Sequence, residues 1–111
     1  MKTFTHIRKR AEFLQLQKKS KKVNTKNFLV SYAPSLVGTT DTRLGIVATT
    51  KIGNAVARNR AKRLVREAFR RNKEKFPQGL DVVVICYKGM HLLSQPDIDR
   101  DMISAAKRTK T

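Results

Sequence analysis

Apolar and charged positions recur with helical spacing between residues 54 and 75. At 100° per residue, one face of this segment is apolar and holds Ala57, Ala61, Leu64, Val65 and Ala68. The opposite face is polar and basic and holds Asn59, Lys62, Arg63, Arg66 and Arg70. Asn54 is a good N-cap after Gly53, and Pro77 predicts that the helix ends near Lys75. The pattern therefore predicts one long amphipathic helix, on which Arg63 and Glu67 are spaced for an ion pair.

Three shorter apolar segments predict strands at 27–32, 43–50 and 81–87. The last of these contains an unbroken apolar run, which favours burial on both faces, as in a central parallel strand. Because the long helix lies between the strands at 43–50 and 81–87, these three elements predict a βαβ unit.

The remaining segments are less regular. A short helix is predicted at 10–19 and a final helix at 95–108, with Ile98, Met102, Ile103 and Ala106 as its apolar stripe. Residues 18–26 form a lysine-rich connection with room for a short strand, and residues 33–42 read as a loop. Residues 1–7 are expected to be loosely held. A length of 111 residues predicts a single domain.

The net charge of the chain indicates what kind of molecule it binds. The chain has 25 basic and 8 acidic residues and a net charge of +17, an imbalance that favours a polyanionic partner. A nucleic acid fits better than an anionic membrane, because the apolar helix face is rich in Ala rather than Trp, Phe and Leu. The longest apolar run has six residues, so no membrane span is expected. It contains the single cysteine, Cys86, which predicts a buried, unreactive thiol and fits a reducing, cytoplasmic location.

Few residues suggest catalysis. Only Asp97, Asp99 and Asp101 cluster among the acids, and they lack the glycine and the closing Glu of a calcium loop. Their position at the start of a predicted helix fits the helix dipole instead. His6 and His91 have no potential metal ligand or catalytic partner at suitable spacing. The residues alone therefore indicate a binding protein with no catalytic residue and no metal site of its own.

The long basic helix favours RNA over DNA. Its arginines are suited to phosphates more than to base edges, and structured RNA is recognised by shape and backbone. Aromatic side chains could stack unpaired bases on an open sheet face, or could lie in the core; the candidates are Phe13, Phe28, Tyr32 and Tyr87.

The residues around this helix resemble the signature of the bacterial ribonuclease P protein subunit. The matching positions are Lys51, Gly53, Ala55, Val56, the Arg58-Asn59-Arg60 motif, Lys62, Arg63, Arg66 and Glu67. The strand that begins at Arg43 and the helix containing Glu12 and Phe13 also lie where that family has them. The resemblance covers roughly residues 5–106 and implies an α+β sandwich of αβββαβα topology, ribosomal protein S5 domain 2-like, with a left-handed βαβ crossover.

The resemblance also implies a function. The family assists a catalytic RNA subunit, which binds Mg²⁺, in removing the 5′ leader from precursor tRNA. Contacts with the RNA subunit are implied for Lys51, Asn54, Arg58, Asn59, Arg60, Lys62, Arg63, Arg66 and Arg70. Leader contacts are implied for Phe13, Gln17 and Tyr87, where Gln17 replaces an aromatic residue that family members often carry. The expected partners are RNase P RNA and precursor tRNA, and the protein alone is expected to be a monomer.

Two rival functions share parts of this pattern. A ribosomal-type protein that binds structured RNA without processing it would have the same charge and the same helix. A stand-alone nuclease would cleave RNA without an RNA subunit.

Overall fold

The computed structural model describes residues 5–6, 21–34 and 42–109, with only the backbone described for residues 5–6. Five strands lie in these ranges: β1 (Thr5–His6), β2 (Lys21–Asn24), β3 (Phe28–Pro34), β4 (Arg43–Val47) and β5 (Leu80–Cys86). Two α-helices accompany them, α1 (Ala55–Asn72) and α2 (Gln95–Thr109). Short 3₁₀ turns at Lys73–Lys75 and Met90–Leu92 follow α1 and β5.

The strands form one mixed sheet in the order β1-β4-β5-β3-β2. β4 pairs in parallel with β5 on one side and with β1 on the other, whereas β3 is antiparallel to both β5 and β2. The central position of β5 and the β4–α1–β5 unit confirm the predicted βαβ arrangement. The left-handedness of the crossover stays a prediction.

The core lies between one face of the sheet and the two helices. The helices contribute buried side chains at the predicted apolar positions, including Ala61, Leu64, Val65, Ala68, Ile98, Met102 and Ala106. The sheet contributes Phe28, Val30, Leu44, Val82 and Val84, each fully buried. Phe28 and the nearly buried Tyr32 therefore belong to the core rather than to a base-stacking surface. Ile103 is only partly buried, because the α2 stripe turns toward Ala105 and Ala106.

The second face of the sheet carries a smaller apolar cluster. Ala33 and Val83 are buried there, and Val47 and Ile85 pack against them. At the start of β4, Arg43 forms a bidentate ion pair with Asp81 of β5, with both nitrogen–oxygen distances 2.7 Å. Because Arg43 and Asp81 are also partners in the strand register, the pair aligns the beginnings of the two parallel strands.

Several boundaries differ from those predicted. β4 ends at Val47 rather than at residue 50, because Thr49 accepts hydrogen bonds from the amides of Lys51 and Ile52 and so starts a turn. β1 pairs Thr5 with Arg43 and His6 with Leu44, whereas residues 1–7 were expected to be loosely held. The predicted helix at 10–19 and residues 35–41 of the predicted loop lie outside the described residues, whereas residues 33–34, also predicted as loop, belong to β3. No helix in the described ranges is long and apolar enough to cross a membrane.

Candidate nucleic-acid interface

The start of α1 is fixed by a tight turn and a cap. Gly53 has a φ of 146°, a conformation that other residues rarely adopt, and a Cβ at this position would lie 3.1 Å from Ala57 Cβ. Asn54 Oδ1 accepts a hydrogen bond of 3.0 Å from the amide of Ala57, as predicted for an N-cap. The side-chain oxygen of Asn54, which the resemblance assigns to RNA contact, is thus engaged within the protein. Lys51, two residues before Gly53, is exposed.

The outer face of α1 presents basic groups that have no partner in the part of the chain that the structure describes. Asn59, Arg63 and Arg66 are all exposed and lie on the same side of the helix. We call these three residues the cationic face. None of the three side chains makes a hydrogen bond or ion pair with any residue in 21–34 or 42–109. Lys62 is half-buried and close enough to Cys86 for its charge to act on the thiol. The cationic face therefore has charges that no contact among residues 21–34 and 42–109 neutralises.

Glu67 does not pair with Arg63, so that prediction is wrong. It accepts hydrogen bonds from Arg70 and from Arg71 Nε, the latter at 3.1 Å. The hydrogen bond from Arg70 is the largest of the effects that lower the pKa of the Glu67 carboxyl. Arg71 also reaches Asp99 of α2 at 3.0 Å. Arg70 is therefore partly neutralised and is a weaker candidate for phosphate contact than Arg63 or Arg66.

The two arginines of the Arg58-Asn59-Arg60 motif contact backbone carbonyls. Arg58 Nη1 donates to Gly53 at 3.2 Å, which links the helix to the preceding turn. Arg60 Nε donates to the carbonyl of His91 at 2.7 Å, and its Nη2 donates to that of Leu93 at 3.5 Å. These bonds attach the 3₁₀ turn after β5 to α1. The sequence pattern could not show them, because the partners lie more than thirty positions away.

The acidic run in α2 has separate structural partners. Asp97 accepts hydrogen bonds from the hydroxyl and amide of Ser94, and the hydroxyl bond is the main cause that lowers the pKa of Asp97. Asp99 accepts from Gln95 and Arg71, and Asp101 accepts from Asn27 at 2.6 Å. The predicted helix-terminus role thus applies to Asp97, whereas Asp99 and Asp101 join α2 to α1 and to the β2–β3 turn.

A cavity of about 620 Å³ opens at the ends of the parallel strands β4 and β5. Its lining consists of Thr49, Thr50, Lys51, Ile85, Cys86, Tyr87 and Lys88. Lys51 and Tyr87 were both predicted site residues, and the fold brings them together here. Thr49, Thr50 and Lys88 were not predicted, although the βαβ unit itself implied that residues following these two strands would meet at one edge of the sheet.

The predicted leader-binding residues are only partly described. Tyr87 is partly exposed, and its hydroxyl donates a hydrogen bond of 2.6 Å to Asn24 Oδ1, which fixes the ring near the cavity. Phe13 and Gln17 lie outside the described residues. Burial raises the pKa of the neighbouring Cys86 thiol to about 12, so the thiol stays protonated at neutral pH. Cys86 is therefore a packing residue, as predicted.

Comparisons with known proteins agree with this architecture. A family model described as Ribonuclease P matches residues 1–110. The ribonuclease P protein components of Syntrophus aciditrophicus and Brevibacillus brevis are 39% and 35% identical to the chain, covering 92% and 94% of it and 84% and 82% of the relatives. The solved RNase P protein of Staphylococcus aureus has a TM-score of 0.83 at 30% identity, with 97% of both chains covered. That of Thermotoga maritima also has a TM-score of 0.83, at 36% identity, with 93% of this chain and 96% of that chain covered. The chain therefore belongs to the ribonuclease P protein family, the protein components of a tRNA-processing ribonucleoprotein enzyme.

Proposed function

We propose that this chain binds RNase P RNA through the outer side of α1 and helps that RNA to remove the 5′ leader from precursor tRNA. The observation that carries the proposal is the exposure of Arg63 and Arg66 without partners in the described ranges. Guanidinium groups form strong, often bidentate hydrogen bonds with phosphates, and the helix fixes the positions from which these two groups extend. Phosphate contacts position a protein on its nucleic acid without selecting a sequence, which suits a partner recognised by its shape.

The polar and basic side chains around α1 have different proposed roles in RNA binding. Arg63, Arg66 and Asn59 contact the RNA directly, and Lys51 and Lys62 add positive charge at the helix start and on its flank. Arg58 and Arg60 hold the neighbouring turns in place while presenting their remaining N–H groups. Asn54 acts through its cap on α1, and Arg70 contributes after exchanging part of its contact with Glu67.

The cavity beside β5 is the proposed entry for the leader of precursor tRNA. Lys51 and Lys88 line it and supply positive charge, and Tyr87 offers a ring on which a base can stack. The resemblance implies that Phe13 and Gln17 also contact the leader. The bond cleavage itself is assigned to the RNA subunit and its Mg²⁺ ions.

A cleavage assay tests the proposed function. The cognate RNase P RNA is incubated with a precursor tRNA at low Mg²⁺, with and without the purified chain. We expect the chain to increase leader removal by at least tenfold, because its cationic groups replace part of the charge screening that Mg²⁺ otherwise supplies.

Two other results would contradict the proposal. If the chain binds the RNA without changing leader removal, the ribosomal-type function fits better. If the chain cleaves the precursor when no RNase P RNA is present, it is a nuclease in its own right. The variant Arg63→Ala/Arg66→Ala should stimulate cleavage much less than the unmodified chain. Its matched control is Arg100→Ala/Lys107→Ala, which removes the same charge from exposed positions of α2.

A further inference from the structure

Two large apolar side chains are strongly exposed among the residues that the structure describes, and both are neighbours of Arg60. Val56 is 76% exposed and Leu92 is 77% exposed. Val56 precedes Arg60 by four residues in α1, so the two side chains lie one turn apart on the same side of the helix. Leu92 lies between His91 and Leu93, the two residues whose carbonyls accept hydrogen bonds from Arg60.

The position of Leu92 is fixed by these bonds. The segment that contains it is joined to α1 at further points, because Gln95 Nε2 donates to the carbonyl of Leu64 at 3.0 Å and Arg71 pairs with Asp99. Leu92 also follows the fully buried Met90 within the same 3₁₀ turn. The exposed leucine is therefore held beside α1 by its neighbours on both sides.

The chemistry around Val56 and Leu92 favours a nucleobase over an apolar protein segment. The guanidinium of Arg60 uses Nε and Nη2 for the turn, and its Nη1 donates to no residue in the described ranges. Arg63 lies seven residues after Val56, two turns along the same side of α1. A nucleotide matches this set: its base has an apolar face and acceptor atoms on its edge, and its phosphate is an anion. Unpaired RNA bases are commonly held by apolar or guanidinium surfaces in this way.

We propose that Val56, Arg60 and Leu92 form a binding site for one unpaired nucleobase of the RNA that the cationic face contacts. The base rests against the two apolar side chains, and an acceptor on its edge receives a hydrogen bond from Arg60 Nη1. This site deepens the proposed function and depends on it, since the same RNA must lie on α1.

Chemical probing of the RNA tests the site. Dimethyl sulfate and a carbodiimide modify unpaired bases of the cognate RNase P RNA, alone and saturated with the full chain. We expect the unmodified chain to protect at least one unpaired base, and Val56→Ser/Leu92→Ser to leave that base reactive. The same variant should bind the RNA about tenfold more weakly, because it loses partial burial of two apolar side chains. Its salt dependence should not change, because it removes no phosphate contact.

Matched variants separate this site from the phosphate contacts. Arg63→Ala should show the opposite pattern, with a weaker salt dependence and the base still protected at saturation. Leu92→Met, which keeps an apolar side chain, should retain both the base protection and the RNA affinity of the unmodified chain. Circular dichroism should be the same for all variants, since each replaced side chain is exposed.

Three results would overturn the nucleobase site. The first is an identical protection pattern for the unmodified chain and Val56→Ser/Leu92→Ser. The second is self-association of the free chain in sedimentation experiments that Leu92→Ser abolishes, which would assign the apolar pair to a second copy of the chain. The third is a complete lack of RNA binding, which would also refute the proposed function, whereas the first two would leave leader-cleavage stimulation intact.

Discussion

Replacing both Arg63 and Arg66 with alanine should lower the affinity for RNase P RNA by at least about 100-fold at moderate salt. Each arginine is exposed and lacks an internal partner in the described ranges, so each can offer a full charge-assisted contact, worth about 1.5–3 kcal/mol. The double variant should also flatten the slope of log affinity against log salt concentration by about 1.4 to 1.8, because two phosphate contacts are lost. Filter binding between about 50 and 200 mM salt measures both quantities.

The control for this experiment is a variant with the same change in net charge on a different surface. Arg100 and Lys107 are exposed on α2, and their joint replacement with alanine should change affinity and slope far less. If both double variants reduce the slope equally, the RNA responds to overall charge rather than to the cationic face, and the proposed interface is wrong.

Of the proposed substitutions, those that break the buried ion pair between Arg43 and Asp81 should lower the free energy of unfolding the most. Asp81 is 1% exposed, and both of its carboxylate oxygens accept hydrogen bonds from Arg43 at 2.7 Å. The substitution Asp81→Leu would leave a buried guanidinium without its carboxylate, at a cost of about 3–5 kcal/mol in the free energy of unfolding. Because small domains are stable by only about 5–15 kcal/mol, urea denaturation should show a large shift of the midpoint.

A second variant shows whether the loss comes from the unpaired charge. Arg43→Met/Asp81→Leu removes both charges and keeps similar volumes, so it should recover most of the stability lost in Asp81→Leu. A loss below about 1 kcal/mol in Asp81→Leu would contradict the importance of the pair. The pair lies at the opposite end of β4 and β5 from the cavity, so we expect RNA affinity to be preserved wherever the variants are folded.

The amphipathic helix was predictable because its signal is local. Ala61, Leu64, Val65 and Ala68 recur with the helical period, and the same residues are buried in the structure. The cap at Asn54 and the turn at Gly53 were equally readable, since each depends on the chemistry of one or two adjacent residues. The apolar run in β5 likewise indicated its central place in the sheet.

The partners chosen by individual side chains, and contacts between distant segments, were not predictable from these patterns. Glu67 has basic residues before and after it at helical spacing, and side-chain packing rather than spacing selects Arg70 and Arg71 over Arg63. The hydrogen bonds of Arg60 to His91 and Leu93 depend on how α2 and its preceding turn pack against α1. The two-residue strand β1 is too short to show a period and is defined only by its pairing with β4.

The lining of the cavity was only partly predictable from the sequence. Lys51 was selected from the resemblance, and Tyr87 both as an aromatic residue and from the resemblance. Lys88, Thr49 and Thr50 join them because parallel strands end at the same edge. The βαβ prediction contained this information, although neither the charge pattern nor the residue types of these three positions singled them out.

Directed cleavage from α1 tests most directly whether the cationic face lies against RNase P RNA. An iron chelate that generates hydroxyl radicals is attached to Asn59→Cys, and a matched control carries it at Ser104→Cys, an exposed position of α2. The native Cys86 should not react, since it is buried and its pKa is raised to about 12. We predict strong, localised cleavage of RNase P RNA from position 59 and little from position 104. Absence of cleavage from position 59, or equal cleavage from both positions, would contradict an RNA interface on α1.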